Sequence, residues 1–147
     1  MQLDYHEVLS KARRYCAYQE RCVHDLKLKN YEWGLDREEF DKMIEELSED
    51  NYLNEERYAE FYVRGKFNLK KWGKLKIRDG LYSKNIPEEI IEQSMLQIED
   101  EQYVNVLKEL LEKKEEQVKN EKDQKAKLQR YLLSKGFEWE WISKVMK

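Results

Sequence analysis

The chain has 147 residues, 40% of them charged and 40% hydrophobic, and its 28 lysines and arginines against 31 aspartates and glutamates leave a net charge of −3. That length fits one domain or a short array with a thin core, and one proline with five glycines is too few turn residues for a compact β fold, so helix is expected throughout. No apolar run reaches membrane-spanning length and the opening MQLDYHEVLSKARRY has no apolar signal core, so the expected setting is reducing and cytoplasmic, with no membrane role.

The first predicted helix runs from about Tyr5 to Gln19, with Val8, Ala12 and Tyr15 facing inward. Cys16 and Cys22 follow in CAYQERCVH, six residues apart, a spacing that turns them to different helix faces and argues against a disulfide. With His24 and His6 they match no common zinc spacing, so buried thiols and no metal are expected. A second helix ends at Gly34, a residue suited to the left-handed helix terminus. Asp36 then caps a third helix, Glu39 completes the capping box, and Leu35 precedes it as a hydrophobic staple. Phe40, Met43, Ile44 and Leu47 form its apolar stripe.

The middle of the chain opens on EERYAEFYVRGKF, a helix with Tyr58, Phe61 and Tyr62 as its inward set. GKFNLKKWGK, from Gly65 to Lys74, is the expected loop. A helix carrying Ile77 and Leu81 then ends near Asn85, and Pro87 suits the first turn of the next, which carries Ile91 and Met95. Beyond it, Tyr103 to about Lys114 reads as a helix with Val104, Leu107, Leu110 and Leu111 inward. Glu112–Lys127 holds only Val118 and Ala126 as apolar residues, which fits either an exposed helical extension or a mobile linker. Leu128 and Leu132 mark a helix ending at Gly136, and Ile142 a final one.

These elements repeat at an offset of 51 residues. Gly34, Asn85 and Gly136 fall in register, as do Leu35, Ile86 and Phe137; Glu38, Glu89 and Glu140; Phe40, Ile91 and Ile142; Ile44, Met95 and Met146; and Leu26, Ile77 and Leu128. The expected fold is all-α, an elongated array of three tandem three-helix repeats over 1–49, 50–98 and 99–147. One triplet buries too little alone and needs its neighbours.

Charge is segregated along this array. Eleven acidic and three basic residues lie between Asp36 and Glu60, whereas eight basic residues face only Asp79 between Arg64 and Lys84. Such a stretch is either a solvated helix face or a surface for an anionic partner. Ile77 and Leu81 face inward, leaving Lys74 and Arg78 to form an outward row with Lys70 and Lys71, joined by Arg64 and Lys66; Lys76 lies in the same stretch. Phe67 and Trp72 stand among these cations, suited to base stacking or to anchoring a protein interface; alternatively Trp72 packs back on the core. No phosphate-cradling glycine loop, paired aspartate motif or nucleophile elbow is present, so neither catalysis nor a cofactor is expected.

At this point the residues resemble the RecX family, regulators of the RecA recombinase. Leu53, Asn54, Glu55, Arg57, Tyr58 and Ala59 in YLNEERYAEFYVRGK are similar to the family's leucine-Asp/Asn-acid-x-Arg-aromatic-Ala signature. Gly73, Lys76, Ile77, Leu81, Lys84 and Ile86 resemble its glycine-x-x-basic-Ile and leucine-x-x-Lys-Gly-Ile patterns, and Ala12, Arg21, Asp25, Leu26 and Gly34 its first unit. The chain departs from the pattern at Cys22, where a small hydroxyl residue is usual, at Asn30 for a core leucine, at Lys76 for an arginine and at Asn85 for a glycine. The resemblance implies a monomeric, non-enzymatic protein that lies in the groove of the RecA nucleoprotein filament, bridges its subunits and restrains ATP hydrolysis, strand exchange and coprotease activity in DNA repair and the SOS response. Weak contact with single- or double-stranded DNA fits beside this. Two other readings stay open from the residues alone: a helical array binding nucleic acid directly through the basic stretch, and a structural adaptor with no DNA role.

Overall fold

A computed structural model describes residues 3–146. Nine helices run through them in the order α1 (Tyr5–Tyr18), α2 (Val23–Trp33), α3 (Arg37–Glu49), α4 (Glu55–Asn68), α5 (Lys74–Ser83), α6 (Glu88–Met95), α7 (Asp100–Gln117), α8 (Gln124–Ser134) and α9 (Trp139–Val145). No strand occurs among the described residues, and no helix among them is long and apolar enough to cross a membrane.

The helix ends follow from local chemistry. Asp36 Oδ1 accepts from the Glu39 amide at 2.9 Å and Glu39 Oε1 accepts from the Asp36 amide at 3.4 Å, the expected capping box of α3. Leu35 and Phe40 are both buried in one cluster, as a staple requires. Gly34, Asn85 and Gly136 all take positive φ, at 75°, 59° and 96°, so each closes its unit's second helix as the repeat predicts. Pro87 falls one position earlier than expected, as the cap rather than the first turn of α6.

The core divides into two apolar clusters. The first belongs to α1–α3 and is built on Val8, Ala12, Leu26, Phe40, Met43 and Leu47. The second is shared by α4–α9, where Ile77, Leu81, Ile91, Leu107, Leu132, Phe137 and Ile142 are fully buried or nearly so, and Cys22 reaches into it from the first unit. The second and third triplets thus share their apolar interior, whereas the first completes its own.

Four details differ from expectation. Helix α4 continues to Asn68, so the loop is only Leu69–Gly73; Phe67, 4% exposed, packs into the core and holds the last turn of α4 in place. Phe61 is 45% exposed, because the inward stripe of α4 is Ala59, Val63 and Phe67 at four-residue spacing, and Phe61 projects from the other side. Ile44 is half-buried, its place in the core taken by Met43 and Leu47. Lastly, α7 extends to Gln117 and buried Val118 pins the turn before α8, so the charged stretch is a helical extension plus a short connection.

Candidate partner-binding face

The units meet at two junctions of one design. At the first, Val23 N–H donates to Glu55 Oε2 at 3.1 Å, Lys84 Nζ donates to Asp25 Oδ1 at 2.7 Å, and Asn85 Nδ2 lies 3.4 Å from His24 Nδ1. Burial works against the charge on Lys84, but the Asp25 carboxylate outweighs it and holds the ammonium above its ordinary range. Arg57 adds a clamp: its guanidinium donates to Glu20 Oε2 at 2.7 Å, Asn51 Oδ1 at 3.2 Å, and the carbonyls of Asn51 and Tyr52 at 3.1 and 3.3 Å. The resembling motif containing Leu53–Ala59 therefore includes structural residues, with Asn54 capping α4 and Arg57 tying three segments together.

At the second junction, backbone meets backbone. Gly73 N–H donates to the Lys135 carbonyl at 2.7 Å and Leu75 N–H to the Gly136 carbonyl at 3.0 Å. A Cβ on Gly73 would lie 2.4 Å from backbone atoms of Gly136 and Phe137, so only glycine permits this approach. The Lys74 amide donates to Tyr103 Oη at 2.9 Å, and that hydroxyl donates in turn to Glu138 Oε1. Burial, then the Glu138 hydrogen bond, raises the Tyr103 hydroxyl above its ordinary range.

The eight basic and aromatic candidates are divided by this arrangement. Lys66 and Lys76 place their ammonium groups 4.7 and 4.6 Å from the Trp72 ring centroid. Trp72 itself is half-buried against the shared core. Lys70 is exposed beside them, and Lys71 turns the loop at φ 59°. Arg64 is exposed on α4.

Lys74 and Arg78 do not join this group as a free outward row. Lys74 Nζ sits 4.7 Å from the Tyr103 ring centroid and 5.9 Å from that of Trp141. Arg78 is held by Glu92 through hydrogen bonds of 2.8 and 3.2 Å, which raise the guanidinium above its ordinary range against the effect of burial. The two residues share a helix face, but α6, α7 and α9 cover it. Phe67, buried, offers no surface to a partner.

Lys135 takes the place beside Lys70 that sequence spacing did not assign: its Nζ donates to the Lys70 carbonyl at 2.9 Å. The available signal was the repeat itself, since Lys135 stands 51 residues after Lys84. Lys11, Arg14, Tyr15, Lys29, Glu32 and Trp33 line an open groove of about 510 Å³ between α1 and α2, where Glu32 pairs with Lys29 at 2.7 Å. Both cysteines are free and buried, and no group of three or more metal-ligating side chains occurs among the described residues.

A stack of helical triplets joined by ion pairs and backbone hydrogen bonds defines the class of tandem-repeat helical proteins. The family model for the second three-helix domain of RecX matches residues 54–95, and that for the third three-helix domain matches 100–146. The chain belongs to the RecX family of regulatory proteins. It is 35% identical over 133 residues to the regulatory protein RecX of Clostridium beijerinckii, covering 87% of this chain and 60% of the relative, and 33% identical over 129 residues to that of Clostridium acetobutylicum, covering 84% and 59%. It thus spans about three fifths of the length of these relatives. A crystal structure of a regulatory protein RecX superposes with a TM-score of 0.87 at 26% identity, covering 97% of this chain and 71% of that one. RecX from Lactobacillus salivarius shares the fold with a TM-score of 0.86 at 24% identity, covering 97% and 94%.

Proposed function

We propose that this protein regulates the RecA nucleoprotein filament. It lies along the filament groove, bridges adjacent subunits and restrains ATP hydrolysis, strand exchange and coprotease activity. Membership of a family of regulatory proteins, over nearly the whole fold, is the observation that carries this reading. The physical design is compatible with it. Junctions held by ion pairs and backbone hydrogen bonds give a preorganised surface, which lowers the ordering cost of binding a repetitive partner. Lys66, Lys70, Lys71 and Lys76, with Trp72 and Arg64, form the face offered to the filament, where their field steers association with acidic protein surface and nearby phosphate.

A second reading, direct binding of nucleic acid, is favoured by one observation. Among the described residues no carboxylate pairs with Lys66, Lys70, Lys76 or Lys135. Fluorescence anisotropy of the labelled chain separates the two. Binding to RecA-coated single-stranded DNA is expected to be at least about tenfold tighter than to the naked strand, a difference of about 1.4 kcal/mol. Equal affinities, with a log–log salt slope set by the phosphates neutralised, would replace the filament reading with the second.

A further inference from the structure

The two junctions follow one plan and differ in one charge. At the first, α2 brings His24 and Asp25 against Lys84 and Asn85. At the second, α5 brings Leu75 and Lys76 against Lys135 and Gly136, each 51 residues further on. Asp25 therefore becomes Lys76 and Lys84 becomes Lys135. The first junction closes on a 2.7 Å ion pair, whereas the second sets two lysines, Lys76 and Lys135, at the equivalent positions, where the plan calls for opposite charges.

These cations are held in place. Lys135 Nζ is fixed by its 2.9 Å hydrogen bond to the Lys70 carbonyl, Lys76 Nζ rests 4.6 Å from the Trp72 ring centroid, and the Lys76 Cβ packs closely on Gly136. Burial, and then the charges of Lys76 and Lys70, hold the Lys135 ammonium below its ordinary range. Like charges cost free energy unless an anion screens them.

We propose that the second junction is a phosphate site in which Lys70, Lys76 and Lys135 receive one phosphate group, which supplies the negative charge that the Asp25 carboxylate supplies at the first junction. The chemistry favours phosphate over carboxylate. The three donors are lysines, which bind phosphate as point charges, and they come from a loop, a helix and a turn, so a ligand with acceptor oxygens on several sides serves all of them. Occupancy bridges the second and third units and stabilises the folded chain by linkage. The phosphate comes either from a nucleic-acid strand or from free inorganic phosphate. The inference holds whether or not the partner is the RecA filament.

The test compares thermal unfolding of the wild-type chain, Lys76→Asp and Lys135→Gln in sodium phosphate and in sodium chloride at matched pH and ionic strength. Phosphate stabilises proteins generally by exclusion, so the quantity read is the excess response of the wild type. Lys76→Asp, which restores the first junction's ion pair, is expected to melt higher than wild type in chloride and to gain less from phosphate. Lys135→Gln supplies no carboxylate and keeps the test open where Lys76→Asp fails to fold; it too is expected to lose the excess response. In amide NMR, phosphate is expected to shift Gly73, Lys135 and Gly136 saturably in the wild type only. An oligothymidylate that moves the same amides in competition with phosphate identifies a strand as the source, and one that leaves them unmoved identifies free phosphate. Equal phosphate increments in wild type and folded variants, with no saturable shifts at those amides, would overturn the proposal.

Discussion

Cys22 works at two levels of the structure. It stands at the N-cap of α2, where its amide donates to Asp25 Oδ2 at 3.2 Å, and its side chain joins the core of the following unit beside Tyr58. Burial, above all, pushes both Cys22 and Cys16 up to about 11. Between the ordinary thiol value of 9.0 and about 11, the unfolded chain releases protons that the folded chain keeps, so the stabilisation is complete below pH 9 and lost as pH rises through 11. Urea midpoints measured from pH 8 to 11 are expected to fall over that window, and less steeply in Cys22→Ser, which removes one of the two thiols and supplies a good capping hydroxyl. A variant with the same slope as wild type would assign the pH dependence to other groups, such as Tyr58, whose hydroxyl burial also raises.

Asn30 shows another residue whose role is plain only in three dimensions. Its side-chain amide accepts from Leu35 N–H at 3.2 Å and donates to the Leu35 carbonyl at 3.0 Å. This bracketing of the turn is not revealed by helical periodicity, because both partners lie beyond the helix end.

At the scale of elements, the repeat was legible because helix termini and apolar stripes are local properties. The capping box at Asp36, the left-handed residues at Gly34, Asn85 and Gly136, and burial of Ile77, Leu81, Ile91 and Leu132 all follow from residues within a few positions of one another. Phe61 shows the limit: three aromatic residues in five positions, Tyr58, Phe61 and Tyr62, leave the inward face of α4 ambiguous until its neighbours are placed. Gly73 shows it more sharply. As a glycine before a helix it reads as loop, whereas its purpose is to let α5 approach Gly136 at backbone distance. Gly73→Ala is expected to destabilise the chain by about 1–3 kcal/mol or more through overpacking. Gly65→Ala, at a helical site with nothing within 4 Å of the added Cβ, is expected to stabilise it by up to about 1 kcal/mol. Urea unfolding of the two variants checks both signs, and similar midpoints would contradict the close-approach account of the second junction.

For the whole molecule, the candidate face was half legible. Charge segregation placed Lys66, Lys70, Lys71 and Lys76 on one stretch of chain, and the structure brings Lys66 and Lys76 together on Trp72. Lys74 and Arg78 looked equally free because their covering partners, Tyr103, Trp141 and Glu92, come from other elements. Lys135 was overlooked for the same reason, lying in another unit, though the 51-residue offset pointed to it. The merged core of the last two units and the clamp at Arg57 tie together the units that carry that face. The most direct test of its proposed role is the rate of RecA ATP hydrolysis on single-stranded DNA, titrated with the wild-type chain and with a Lys66→Ala, Lys70→Ala, Lys71→Ala, Lys76→Ala variant of unchanged helical content. The account predicts that wild type lowers the rate to a plateau and that the variant needs about tenfold more protein to do so, roughly 1.4 kcal/mol of lost binding; a rate unchanged at saturating wild-type chain would contradict it.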